Sequence, residues 1–256
     1  KENWPEQAKK VSNSYHNQYE LPVLFYVLVA FALITRKADL IFVEASVSDI
    51  AWQGADTLNQ AFGDSVQLLE AVRFIFDEAG DKPCVCNLSL GTNGGPHDGS
   101  SLVEQGLDAL LREKDNRAIV IAASNSQRDG IHTSGKVPGN APHQVAFTQQ
   151  FQGGGEFELW YPGQRRLEVS LIAPDGTRFG PVAPGDNLPI GANGQIAMFI
   201  SSRLNDPNNR DNVVGIWIAE GLSGDRFVVE LRSLDNQDVD YHAWLERNDN
   251  AQASFA

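Results

Sequence analysis

A histidine, a carboxylate and a hydroxyl stand together at His97-Asp98-Gly99-Ser100. Acyl transfer uses these three types as base, orienter and nucleophile, held in one line of hydrogen bonds. Near neighbours in a loop cannot easily form that line. Turn chemistry accounts for them better, with Ser100 and Ser101 capping a following helix. His16, His143 and His242 lack metal spacing such as HExxH, and His132, in GIHTSG, reads as a structural polar contact. Cys84 and Cys86 are two residues apart, so on a strand they share one face. That spacing suits neither a disulfide nor a zinc site, and both read as small core residues. A second group of polar residues lies where apolar runs end, in NLSLG (residues 87–91) and AASN (residues 122–125). In a parallel sheet such strand ends gather function along one edge.

The elements that must position these residues follow from periodicity. Leu40-Ile41-Phe42-Val43 has strand length and composition. A helix is expected from an Asp64 cap, with Val66, Leu68, Leu69, Val72, Ile75 and Phe76 on one apolar face and Gly80 as its stop. A short strand at residues 83–90 comes next. The loop TNGGPHDGS leads to a second helix, opened by a Ser101/Glu104 capping box, with Leu102, Leu107, Leu110 and Leu111 facing the core. Residues 118–123 form a wholly apolar strand. Strand, helix, strand, helix, strand predicts an α/β fold, a parallel sheet with flanking helices.

Beyond about residue 145 the helical period disappears. Short strands are expected at 145–147, 156–161, 167–172, 195–200, 213–218, 226–231 and 241–245, separated by turns such as Pro174-Asp175-Gly176. This pattern predicts an all-β domain, a sandwich or jelly roll. The expected domains are 1–143 and 144–256. Trp160, Tyr161, Trp217 and Trp244 read as core aromatics, with a sugar-stacking platform as the alternative.

Composition narrows the partners. The chain has 256 residues, 42% hydrophobic and 21% charged, and a net charge of -13. An acidic surface repels phosphate backbones and anionic lipid, so neither nucleic acid nor a membrane surface is expected as partner. Residues 21–34 (LPVLFYVLVAFALI) are almost wholly apolar. As a helix they span roughly 21 Å, short of the roughly 30 Å hydrocarbon core, and read as a buried core element.

From residue 37 to 135 the sequence resembles the middle of the subtilisin family of serine proteases. KADLIFVEA is similar to the strand after that family's catalytic-histidine helix. Ser89-Leu90-Gly91 resembles its edge segment, which pairs with an extended substrate. AASNSQRDGIHTSG resembles its AAGN segment. The resemblance implies that Asn125 supplies an oxyanion-hole amide, that Ser89, Leu90 and Gly91 bind substrate, and that Ala122 and Ser124 wall the adjoining pocket. It implies a serine-type endopeptidase acting through an acyl-enzyme, a peptide or protein substrate, and a secreted or cell-envelope location. Relatives often bind calcium, which the sequence leaves open; no cofactor is indicated. The HGTH and GTS motifs of the family are not present, nor is its early catalytic Asp, and Ser124 stands where the family usually has Gly. A β module inserted before the serine would place GTS beyond residue 256. On that expectation a missing part of the same polypeptide is a further partner. The alternatives are a non-catalytic relative that binds peptide, and a carbohydrate- or protein-binding β module.

Overall fold

The chain divides into two compact units, Lys1–Glu44 and Ala45–Ala256. The computed structural model describes residues 39–43, 65–124, 126–149, 154–192, 195–219, 222, 226–246 and 252–255. The expectations for the 21–34 run, His16, the Asp64 cap and Asn125 fall outside these residues. Residues 39–43 carry no strand pairing, so the strand expected there is not formed, and Phe42 is exposed.

The second unit begins with α1 (Ser65–Ala79), which buries Val72 and Phe76. Gly80 ends it in the left-handed region, φ +59°, with its N–H bonded to Phe76 O and Asp77 O. A residue without Cβ adopts that conformation at least cost. Next come β1 (Cys84–Leu88), α2 (Leu102–Arg112) and β2 (Arg117–Ile121). The capping box of α2 forms as expected: Glu104 N donates to Ser101 Oγ and Ser101 N to Glu104 Oε2. Leu107 and Leu110 are buried, but Leu102, in the first turn, is exposed. β1 and β2 pair in parallel. Cys86 and Leu88 pack with Val72, Phe76, Leu107 and Leu110, and Cys84 joins them at the margin. Both cysteines are free, and burial, with Cys84 adding, pushes the Cys86 thiol up.

Among the described residues the parallel sheet has these two strands. Val85, Asn87, Ala118 and Val120, on its other face, are exposed. A parallel sheet is stable when both faces are covered, and among the described residues only one face is. The expected α/β architecture is therefore corrected: among the described residues the fold is predominantly antiparallel β.

Among the described residues eleven further strands follow: β3 (His132–Val137), β4 (His143–Thr148), β5 (Gly155–Tyr161), β6 (Leu167–Ile172), β7 (Arg178–Val182), β8 (Asn187–Ala192), β9 (Gln195–Arg203), β10 (Asn212–Ile218), β11 (Arg226–Ser233), β12 (Val239–Leu245) and β13 (Ser254–Phe255). One antiparallel sheet has the order β3-β12-β5-β10-β9-β8, the other β13-β4-β11-β6-β7. Their inward residues form one core that includes Phe147, Phe157, Leu159, Leu171, Ile200 and Leu231. Phe147 on β4 stacks on Phe157 on β5, with centroids 5.6 Å apart, which joins the two sheets. Alternation is regular: on β12, Tyr241, Ala243 and Leu245 enter the core, while His242 and Trp244, and Glu246 just past the strand, lie on the opposite face. Among the described residues no helix is long and apolar enough to cross a membrane.

Candidate functional site: a strand-end edge clamped to a sheet

Leu88 pairs with Ile121, and Ala122 N donates to Leu88 O at 3.0 Å, one step past the ladder. Residues 89–91 and 122–124 therefore leave neighbouring parallel strands at the same end. Ser89 and Gly91 are exposed, Leu90 is half-buried, and Ala122 and Ser124 are exposed. Among the described residues no backbone hydrogen bond engages the N–H or C=O groups of residues 89–91. A Cβ at Gly91 would meet open space. The result is a free edge of backbone donors and acceptors, which an added strand could use.

Beside it lies a concavity of about 450 Å³ lined by Ala123, Ser124, Ser126, Gln127, Gly130, Ile131 and His132. Asn125 is outside the described residues, but both its chain neighbours border this space. Ser124 has φ +71°, a left-handed conformation that costs a side chain about 1–2 kcal/mol. A glycine at this position of the resembling family has a physical reason here. Ser124→Gly is expected to raise stability in urea denaturation by about 1 kcal/mol or less, the relief of strain being partly offset by chain entropy. Lower stability would show that something other than this torsion governs the site.

The loop between the free edge and α2 is fastened to the outer face of the six-stranded sheet. Asn93 N and Gly94 N donate to the two carboxylate oxygens of Glu246 at 3.0 and 2.8 Å. Gly95 N donates to Glu158 Oε2 at 2.7 Å, and Trp160 Nε1 shares that oxygen at 3.1 Å. The buried Asn93 side chain donates to Leu245 O. A Cβ at residue 94 would lie 2.8 Å from Glu246 Oε2, so a larger residue there would push the end of that side chain aside. His97 stacks on Trp244 with centroids 4.2 Å apart, and its Nε2 donates to Asn93 O. Asn209 Nδ2 donates to Asp98 at 2.9 Å. Three successive N–H groups thus meet two carboxylates, and such charge-assisted bonds are the stronger kind. Sequence reading missed Glu158 and Glu246. The available signal was a Gly-Gly loop whose N–H groups need acceptors, with acidic residues at outward positions of later strands.

The tempting His97-Asp98-Gly99-Ser100 group is taken up by this loop. Burial alone would raise the Asp98 carboxyl, but hydrogen bonds from Ser100 and Asn209 outweigh it and hold it low. Nor does another described histidine meet a serine. His132 Nε2 bonds His242 Nδ1 at 3.1 Å, and His143 Nε2 bonds the Tyr241 hydroxyl at 2.9 Å. Burial, then the His242 and His97 charges, push His132 down, and burial does the same to His143. Among the described residues no group of three His, Cys, Asp or Glu side chains could hold a metal ion. Trp160, Tyr161 and Trp244 are buried, so the four aromatics form no sugar platform; Trp217 alone of them is half-buried.

No protein-family model and no curated protein sequence matches the chain. Among solved structures, the CspB protease of Clostridium perfringens is similar in fold, with a TM-score of 0.64 and 23% sequence identity. The match covers 75% of this chain and 41% of that one, so the chain spans less than half the length of that protein.

Proposed function

We propose that this chain carries the substrate-binding edge and the oxyanion side of a serine-type endopeptidase of the subtilisin kind, with a peptide or protein as substrate. One observation carries the reading. Neighbouring parallel strands end together in a free backbone edge at residues 89–91 and in the 122–124 turn, beside an open concavity. The protease-like fold and the sequence resemblance support it.

In this reading an extended peptide adds as a strand along Ser89, Leu90 and Gly91, and backbone hydrogen bonds fix its register. The side chain before the scissile bond lies against Ala122 and Ser124. As a tetrahedral intermediate forms, negative charge grows on the former carbonyl oxygen. The Asn125 amide, one residue beyond the left-handed Ser124, would donate to it without reorganising water. Nucleophile and base would come from elsewhere in the polypeptide.

A second reading has its own observation. The ring nitrogens of the four described histidines hydrogen-bond Asn93 O, the Tyr241 hydroxyl or each other, and among the described residues none hydrogen-bonds a serine. A non-catalytic peptide binder built on the same edge accounts for that equally well.

Both readings predict peptide binding without turnover by this chain. The pure chain is expected to leave a chromogenic peptide intact while an extended hexapeptide shifts the amide resonances of residues 89–91. Leu90→Pro, which removes a donor outside any ladder, should weaken binding at least about tenfold, the equivalent of about 1.4 kcal/mol. Unchanged affinity in that variant would remove the edge from both readings. Inhibitor-sensitive hydrolysis would reveal a nucleophile and exclude the second.

A further inference from the structure

A second concavity lies on the outer face of the six-stranded sheet, and its floor is a missing side chain. Gly215 on β10 faces outward, and a Cβ there would meet nothing within 4 Å. Across the ladders Gly215 is flanked by Glu158 on β5 and Ser201 on β9. Two residues on, Trp217 is flanked in the same way by Glu156 and Phe199. These six residues, with Phe157 and Ile216, line a space of about 210 Å³. That is smaller than the roughly 300–1,000 Å³ of pockets that take drug-sized molecules. It suits one long side chain.

The walls are of two kinds. Trp217 and Phe199 are half-buried aromatics on adjacent strands. Glu156 is a half-buried carboxylate with no hydrogen-bond or ion-pair partner among the described residues; its charged neighbours are Glu246 and Glu158. Glu158 is already bonded to Gly95 and Trp160. Two described basic residues of this sheet face are already paired, Arg203 with Asp206 and Lys136 with Asp240. Among the described residues the Glu156 carboxylate therefore has no counterion, beside two aromatic faces. A partly desolvated cation over such faces is attracted by the ring quadrupoles, more often as guanidinium than as ammonium. Guanidinium also forks onto a carboxylate while its plane stacks on the ring.

We propose that this pit binds the guanidinium side chain of an arginine presented by a peptide, stacked against Trp217 and Phe199 and paired with Glu156. The proposal stands apart from the peptidase reading, since none of its residues belongs to the 89–91 or 122–124 segments.

The test uses the full chain and three probes: the Nα-acetyl amides of arginine, lysine and citrulline. Citrulline keeps the shape of arginine and lacks its charge. Titration calorimetry, with Trp217 emission as a second readout, should show arginine binding at least tenfold more tightly than citrulline. Lysine should fall between them. Glu156→Gln should reduce arginine to the citrulline level, and Trp217→Ala should weaken it at least fivefold. The Glu156 variant has a built-in folding control. Burial, then the charges of Glu246 and Glu158, push the Glu156 carboxyl up. The folded state therefore disfavours the charged form, and neutral Gln should raise the melting temperature at pH 7. A Glu156→Gln protein that is as stable or more stable and still prefers arginine overturns the proposal. So does equal binding of citrulline. Lysine binding as tightly as arginine overturns the guanidinium assignment.

Discussion

Replacing Phe157 by alanine should cost about 3–5 kcal/mol. The ring is 1% exposed, stacks on Phe147 at 5.6 Å and meets Phe255 edge-on at 6.1 Å. It sits on β5 of one sheet and packs on β4 and β13 of the other, so its removal opens a cavity where the sheets join. Marginally stable domains have about 5–15 kcal/mol in all, so the variant should lie near the edge of folding. Urea denaturation measures the loss. A cost under about 1 kcal/mol would mean that the sheets do not share that contact.

The second large effect concerns Glu246. Its truncation to alanine should accelerate amide exchange at Asn93 and Gly94 by about tenfold to a hundredfold. Each N–H loses a hydrogen bond to a charged acceptor, worth about 1.5–3 kcal/mol. Exchange in the β4–β11 ladder, in the other sheet, should stay unchanged. Glu246→Gln, which keeps one acceptor oxygen, should fall between the wild type and the alanine variant. If the free edge takes peptide, affinity should drop with the same substitution, because residues 89–91 lead directly into the loop that Glu246 holds. Unaltered exchange at Asn93 and Gly94 would show that the contacts with Glu158, Leu245, Trp244 and Asn209 keep the loop in place without Glu246.

Much of the secondary structure is legible in the sequence because it rests on local rules. The capping box at Ser101 and Glu104, the Gly80 stop and the strands after residue 145 follow from spacing and alternation. Other strands carry no such signal. HTSGKV, which becomes β3, is short and polar, while RFGPV and NLPIGA contain the Gly and Pro that normally demote a strand. Sheet order was beyond reach, because the β3–β12 ladder joins residues more than a hundred positions apart. The α/β expectation failed for a related reason. A run of strands and helices looks the same in sequence whether its sheet continues or ends after two members. Burial decides, and Val85 and Val120 are exposed. At the site, the strand-end words could be found by composition. Their attachment to Glu158 and Glu246 could not, since the partners lie 63 and 153 residues away.

β12 has two jobs on opposite faces, and they cannot be separated. Side-chain period two means that a slip of one residue would turn Trp244 and Glu246 inward and expel Ala243 and Leu245. The alignment of the 93–97 loop is therefore inherited from hydrophobic packing on the reverse side of the same ribbon. An insertion of one residue in the turn before β12 would be felt about as keenly at the distant loop as in the interior, whereas one of two residues would restore the facing of every side chain and only shift the anchor along the strand.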